Sequence, residues 1–377
     1  MIPIDYSGSL KKYNQFITDF RKEMKKVIDR GYICNRVPIK VKGALVELAS
    51  LSAVQQKKFD AAISKDKKQC GWKLMKKGTE ILAPTMLDDK TIKVLTFLYG
   101  AGDDLFHCKP ERLLTYVSFL ESVFLKRKKD QVKVIKELKP LFVDHGYDKK
   151  VKGMAAFPKD ELIEATGTKV CPYCNRVFVE NIALNGGGSL KGQLDHFYPK
   201  ELYPYLAISK YNLVPCCPFC NGSSGKGNKD SRNMNMVNPY SLTSAQGLKF
   251  KTNIRRKGFL NLQTCADAVD ISIDTKALPD MKNNSKVFHL KEIYNHHKDY
   301  MAEMYYKYNM MKTPAYKKFA LELLGMKAKR GPRKIQLSKS DWDRIIFGVY
   351  TEEKDFHRRP MSKFCMDMVD DFRKKRM

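Results

Sequence analysis

Apolar positions recur at helical spacing over residues 8–30. Leu10, Tyr13, Phe16, Ile17, Phe20, Met24, Val27 and Ile28 line one face, Lys and Arg fill the other, and Gly31 follows as a stop. The same period predicts helices over 44–63, 89–99 and 111–139. The last of these carries Leu113, Leu114, Val117, Leu120 and Phe124 on its stripe. Residues 1–150 therefore read as a mostly helical scaffold or docking domain with a core of its own. His107, Cys108 and His145 fall in it without a partner at ligand spacing and read as structural.

The pattern changes over 151–285. Short mixed segments give way to cysteine pairs, Gly-rich turns and the polar run "NGSSGKGNKDSRNMNMVNPY". Strand-like pieces at 193–198 and 211–215 lead toward a helix starting near Pro218. Weak alternation over 248–275 suggests a few more strands. Helical spacing returns over 286–325 and 336–377, a C-terminal helical region expected to pack on the middle module. Near the C-terminus, "DFHRRPMSKFCMDMVDDF" reads as a packing helix behind a basic turn that could line a groove. The fold class expected is α+β, a mostly helical protein enclosing a small metal-stabilised module.

Length fits this division: 377 residues allow roughly two domains. Composition is that of a globular chain, 43% hydrophobic and 29% charged. No run of about 18 apolar residues is present, and the first residues lack the apolar core of a signal peptide. A soluble cytoplasmic protein is the expectation, with no membrane partner. Charge adds more. Seventy Lys and Arg against 41 Asp and Glu leave a net +29, the electrostatic footprint of a protein that meets a polyanion, nucleic acid first.

Five of the ten cysteines fall within 171–220. In a cytosolic chain such clustering favours metal over disulfides. "CPYC" (Cys171, Cys174) and "CPFC" (Cys217, Cys220) are matched C-x2-C knuckles, stiffened by Pro172 and Pro218. Four thiolates suit a structural, tetrahedral Zn²⁺, which would replace a missing core. Cys216 could compete as a ligand, but the register points to Cys217. The rival reading of a redox pair fits two matched knuckles poorly. Between the knuckles lie the adjacent Asp195 and His196, then Asn212 in "YNLVP"; Asn221 follows the last cysteine.

In this order the residues resemble the HNH endonuclease family in its four-cysteine form, over about 171–230. Asn221 stands where the family has its last His, a variant also found in HNH domains of the CRISPR-associated type. More loosely, "NLVPCCPFCN", "NPY" and "FHLKEIYNHHKD" resemble the nuclease subunit of Septu-type bacterial antiphage systems, including those attached to retrons. The resemblance implies a ββα-metal module. Asp195 and Asn221 would hold Mg²⁺ or Mn²⁺, His196 would act as general base, and Asn212 would bond backbone to fix His196. It also implies DNA as substrate and a regulatory ATPase subunit as partner.

The residue types suit that chemistry. A carboxylate and an amide oxygen are ligands for a hard cation that keeps several waters. An imidazole with an ordinary pKa near 6.5 can take a proton from water. Lys226, Lys229 and Arg232 follow as candidate phosphate contacts. "GSSGKG" is not a nucleotide loop, because the glycine that pattern requires is Cys220. His289 and His296, seven apart, would share a helix face and could approach the site with His297. The alternatives are a non-catalytic zinc-dependent nucleic-acid-binding module and a scaffold for a partner ATPase.

Overall fold

The computed structural model describes all residues except 39, 42–43, 46–51, 54–79, 149–154, 186, 188, 256–263, 324–337 and 376–377. The chain divides into two units that interleave in sequence. One comprises 11–157 and 200–210, the other 1–10, 158–199 and 211–377.

The first unit is built on helix α1 (Lys11–Arg30), whose stripe Tyr13, Phe16, Ile17, Phe20, Met24 and Val27 is buried. Each such side chain contributes about 1.5–3 kcal/mol on burial. Gly31 stops the helix at φ 73°, a left-handed conformation that residues with a Cβ rarely adopt. The Tyr13 hydroxyl donates to the Phe106 and Ile208 carbonyls, both at 2.8 Å, so the 200–210 segment is tied to α1. The unit also holds a pairing that helical periodicity did not suggest. Strand β1 (Tyr32–Pro38) runs antiparallel to β4 (Glu80–Met86), with Tyr32 opposite Met86. Between them, β2 (Lys40–Val41) pairs with β3 (Ala44–Leu45). The helix expected over 44–63 thus opens on a short strand, and its residues 46–51 and 54–63 lie outside the described ones.

Helices α2 (Asp89–Gly100), α3 (Asp104–His107), α4 (Pro110–Val123) and α5 (Lys128–Lys139) follow. The single helix expected over 111–139 is two. Phe124 and Leu125 both donate their N–H to the Leu120 carbonyl, closing α4, and Leu125 turns inward to 3% exposure. The run of like charges at 126–129 lies at the break, where helix would place cations one turn apart. His107 bonds the Asp103 carbonyl and Asn14 through its two ring nitrogens.

In the second unit, α6 (Lys159–Ala165) leads into the first knuckle, and β5 (Ile182–Ala183) pairs with β6 (Ser189–Leu190). The central element is the antiparallel pair β7 (Gln193–His196) and β8 (Leu213–Cys216), in register Gln193 to Cys216 and His196 to Leu213. One turn of helix, α7 (Pro218–Asn221), follows. A second pair, β9 (Lys249–Ile254) and β10 (Val269–Asp274), precedes α8 (Met281–Val287), α9 (Leu290–Asn295), α10 (Lys298–Lys312), α11 (Pro314–Leu323), α12 (Lys339–Phe347) and α13 (Ser362–Lys374).

Helix α13 closes the edge of β9 with two carboxylates one turn apart. Asp367 accepts from the Phe250 N–H at 3.0 Å, and Asp371 accepts from the N–H and hydroxyl of Thr252 at 2.8 and 2.6 Å. Unpaired strand donors are thereby satisfied without a further strand. Its first residues dock on the first knuckle, where the Met361 N–H donates to the Asn175 carbonyl and the Lys363 N–H to the Asn175 side chain. Among the described residues no helix is long and apolar enough to cross a membrane.

Candidate functional site

The two knuckles converge. The sulfurs of Cys171, Cys174, Cys217 and Cys220 lie within 4.8 Å of one another, and all four residues are buried. Cys174 Sγ and Cys217 Sγ are 3.9 Å apart. A disulfide needs about 2.05 Å, whereas a tetrahedral zinc with bonds of about 2.3 Å sets its sulfurs about 3.8 Å apart. The set therefore fits a metal such as zinc and excludes a disulfide. Hydrogen bonds from Cys171, Cys174 and Cys220 push the Cys217 thiol down, while burial raises Cys171. Cys216 is buried beside the cluster and outside it.

This cluster joins α7, which follows β8, to the segment between α6 and β5, and so braces the hairpin that carries Asp195 and His196. As strand neighbours they leave opposite faces of β7. Asp195 is 2% exposed. Its Oδ2 accepts from the Tyr173 hydroxyl at 2.7 Å and its Oδ1 from Lys226 Nζ at 3.1 Å. Burial raises the Asp195 carboxyl above the ordinary range, and the lysine charge partly offsets that. His196 is 8% exposed and ends the strand.

Asn212 spans the loop after His196. Its Oδ1 accepts from the Tyr198 N–H at 2.7 Å and its Nδ2 donates to the Tyr198 carbonyl at 3.1 Å. Asn221, on α7, donates Nδ2 to Gln193 Oε1 at 2.9 Å. Gln193 and Asp195 alternate onto the same strand face, so Asn221 reaches the face of the hairpin that bears the carboxylate.

Lys226 corrects the sequence reading. It was expected at a phosphate; instead its side chain is fully buried. Besides Asp195, its Nζ bonds the carbonyls of His196 at 2.6 Å and Gly227 at 3.4 Å. The "GSSGKG" loop is what turns it inward. Gly225 packs so closely on α7 that a Cβ there would lie 2.5 Å from the Phe219 and Cys220 carbonyl oxygens. Glycine alone allows this approach, which lets the Lys226 N–H bond the Cys220 carbonyl at 2.9 Å. Lys229 also folds back, its Nζ on the Ser223 and Gly225 carbonyls rather than free for phosphate. Arg232 is half-buried, its N–H on Asp230.

The three histidines do not share a helix face, because helix breaks fall at His289 and between His296 and His297. His289 adopts φ 49° and its Nε2 lies 3.1 Å from the Ser224 carbonyl. His296 is exposed. His297 Nε2 is buried and finds no hydrogen-bond partner among the described residues.

Tyr173 was not singled out from sequence. The signal lay in the knuckles themselves: "CPYC" differs from "CPFC" by one hydroxyl. Tyr173 is fully buried and uses that hydroxyl on Asp195, while Phe219 is 67% exposed. A polar tip on a buried aromatic needs a partner.

No family model matches this chain, and no solved structure matches it. One curated relative is the Septu protein PtuB of Bacillus thuringiensis. It is 29% identical over 132 residues, which cover 35% of this chain and 48% of that protein. This is a distant likeness to a Septu protein, and the matched segment spans about half of the relative's length.

Proposed function

We propose that this chain is an HNH endonuclease that hydrolyses phosphodiester bonds in DNA with a divalent cation, and that it serves as the nuclease effector of a bacterial antiphage defence system. What supports the reading is the sequence order of Asp195, His196, Asn212 and Asn221, which resembles that of HNH nucleases, together with the four converging thiols beside the hairpin that carries Asp195 and His196. The likeness to Septu protein PtuB supports the defence role; a regulatory ATPase subunit as partner is what the Septu-type resemblance of the sequence implies.

In this reading His196 accepts the proton of the attacking water. Asn212, through both backbone groups of Tyr198, holds the loop that follows His196. Asp195 and the Asn221 amide oxygen would hold Mg²⁺ or Mn²⁺. The donor set suits a hard cation, because each carboxylate oxygen keeps a lone pair beyond the bond it accepts. When bound, such a cation neutralises charge on the leaving oxygen. Lys226 already compensates Asp195 and is the charge with which a cation must coexist.

That same compensation favours a second reading, a zinc-dependent nucleic-acid-binding module without catalysis. Plasmid cleavage by the full-length protein in Mg²⁺ or Mn²⁺ separates the two. Wild type nicks or cuts, and His196→Ala loses at least a hundredfold in rate while keeping its zinc and its circular dichroism. Cleavage by the variant at the wild-type rate removes His196 from the mechanism. Salt-sensitive binding without cleavage by wild type, in any divalent cation, leaves the binding module.

A further inference from the structure

Beside the ββα unit, a cleft of about 650 Å³ opens between the end of β10, the turn after it, α8 and α9. Four lysines line it: Lys276 from the turn, Lys282 and Lys286 from α8, and Lys291 from α9. All four are exposed, and among the described residues none lies within ion-pair distance of a carboxylate. Lys282 and Lys286 are one helical turn apart, an arrangement of like charges that weakens a helix. Two carboxylates share the cleft. Asp274 is already paired with Lys251 at 2.5 Å and accepts the Lys276 N–H at 2.9 Å, and Glu292 is the other. The cleft thus holds a surplus of positive charge gathered from three segments.

Its walls are fixed to the candidate site. Phe288, at the end of α8, stacks on Tyr173 with ring centroids 4.3 Å apart, and Tyr173 bonds Asp195. His289, the next residue, contacts the Ser224 carbonyl in the loop that carries Lys226. Asn284 of α8 bonds both backbone groups of Val237 at 2.9 Å. A chain lying in the cleft is therefore held at a set position relative to Asp195.

From these observations we infer that the cleft is a track for the phosphodiester backbone of nucleic acid, delivering it to the hairpin of Asp195 and His196. The chemistry favours a polyanion over a single phosphate, because the cations are point charges on flexible stems rather than a bidentate arginine fork. It favours nucleic acid over a lipid surface, because the apolar lining is only Ile273 and Pro279, with no aromatic to enter a bilayer. This inference rests on the nucleic-acid reading above but not on catalysis.

The test uses full-length protein and a 30-base-pair duplex, with no added divalent cation, read by fluorescence anisotropy over a salt series. The variant K282E/K286E/K291E is compared with K126E/K128E/K129E, an equal charge change at exposed lysines of the first unit. The cleft variant loses ten- to hundredfold in affinity, and its log–log salt slope falls by about two to three, near 0.9 for each phosphate no longer neutralised. The control loses less than threefold. Equal losses in both variants, or none in the cleft variant, overturn the inference. So does loss of binding to anionic phosphatidylserine vesicles with duplex binding intact. Binding is read without divalent cation and cleavage separately with it, so a failure of the cleft and a failure of the nuclease reading give different results.

Discussion

Replacing Lys226 by methionine removes a charge but keeps most of the volume. The pair it breaks is enclosed, with side-chain exposures of 0% for Lys226 and 3% for Asp195. Removing one partner of such a pair leaves an uncompensated buried charge and costs about 3–5 kcal/mol. The carbonyls of His196 and Gly227 lose their donor as well. For a unit of this size 1 kcal/mol corresponds to about 2–4 °C, so K226M lowers the melting temperature of the zinc-loaded protein by about 10 °C. D195N/K226M, which removes both charges, recovers most of that loss, the non-additivity expected of contacting residues. Differential scanning calorimetry on wild type, both single variants and the double variant gives the cycle. A K226M melting temperature within 2 °C of wild type would refute the reasoning. A lysine aimed at phosphate would leave melting unchanged and weaken DNA binding instead.

Two further outcomes follow from the same geometry. Purified protein carries one zinc per chain by atomic absorption, and Cys174→Ser loses it together with the cooperative unfolding of the second unit; unchanged metal content in that variant would exclude Cys174 as a ligand. Burial, with the charge of Arg176, holds the His297 imidazole below its ordinary value. A base depressed in the folded state adds stability above its unfolded pKa, near 6.5, and that stability is lost as pH falls through the folded value. His297→Gln therefore loses less stability than wild type between pH 7 and pH 5, and urea midpoints with identical pH slopes would refute this.

Much of the framework was legible because it is local. The stripe of α1 repeats every three to four residues, and helix geometry alone turns that into one buried face. Each C-x2-C knuckle brings two sulfurs together by its own turn, and four thiols carry their metal chemistry by residue type. The hairpin of β7 and β8 and the turn at Pro218 were readable from short apolar runs and a proline. The β1–β4 pairing was not, because its strands lie about 40 residues apart and their partners are not encoded in either.

Which cations meet water was decided only in three dimensions. Lys226 and Lys282 are the same residue in the same basic composition. One is drawn inward because Gly225 permits close approach to α7 and Asp195 accepts its ammonium; the other stands exposed on a helix face, within ion-pair distance of no carboxylate among the described residues. Likewise, the spacing of His289 and His296 promised a shared face, but the chain leaves the helix at His289, where φ is 49°, and again after Asn295. Sequence assigns chemistry and local period, but the partner and the exposure of a charge depend on neighbours brought from far along the chain, whose desolvation energies outweigh local preference.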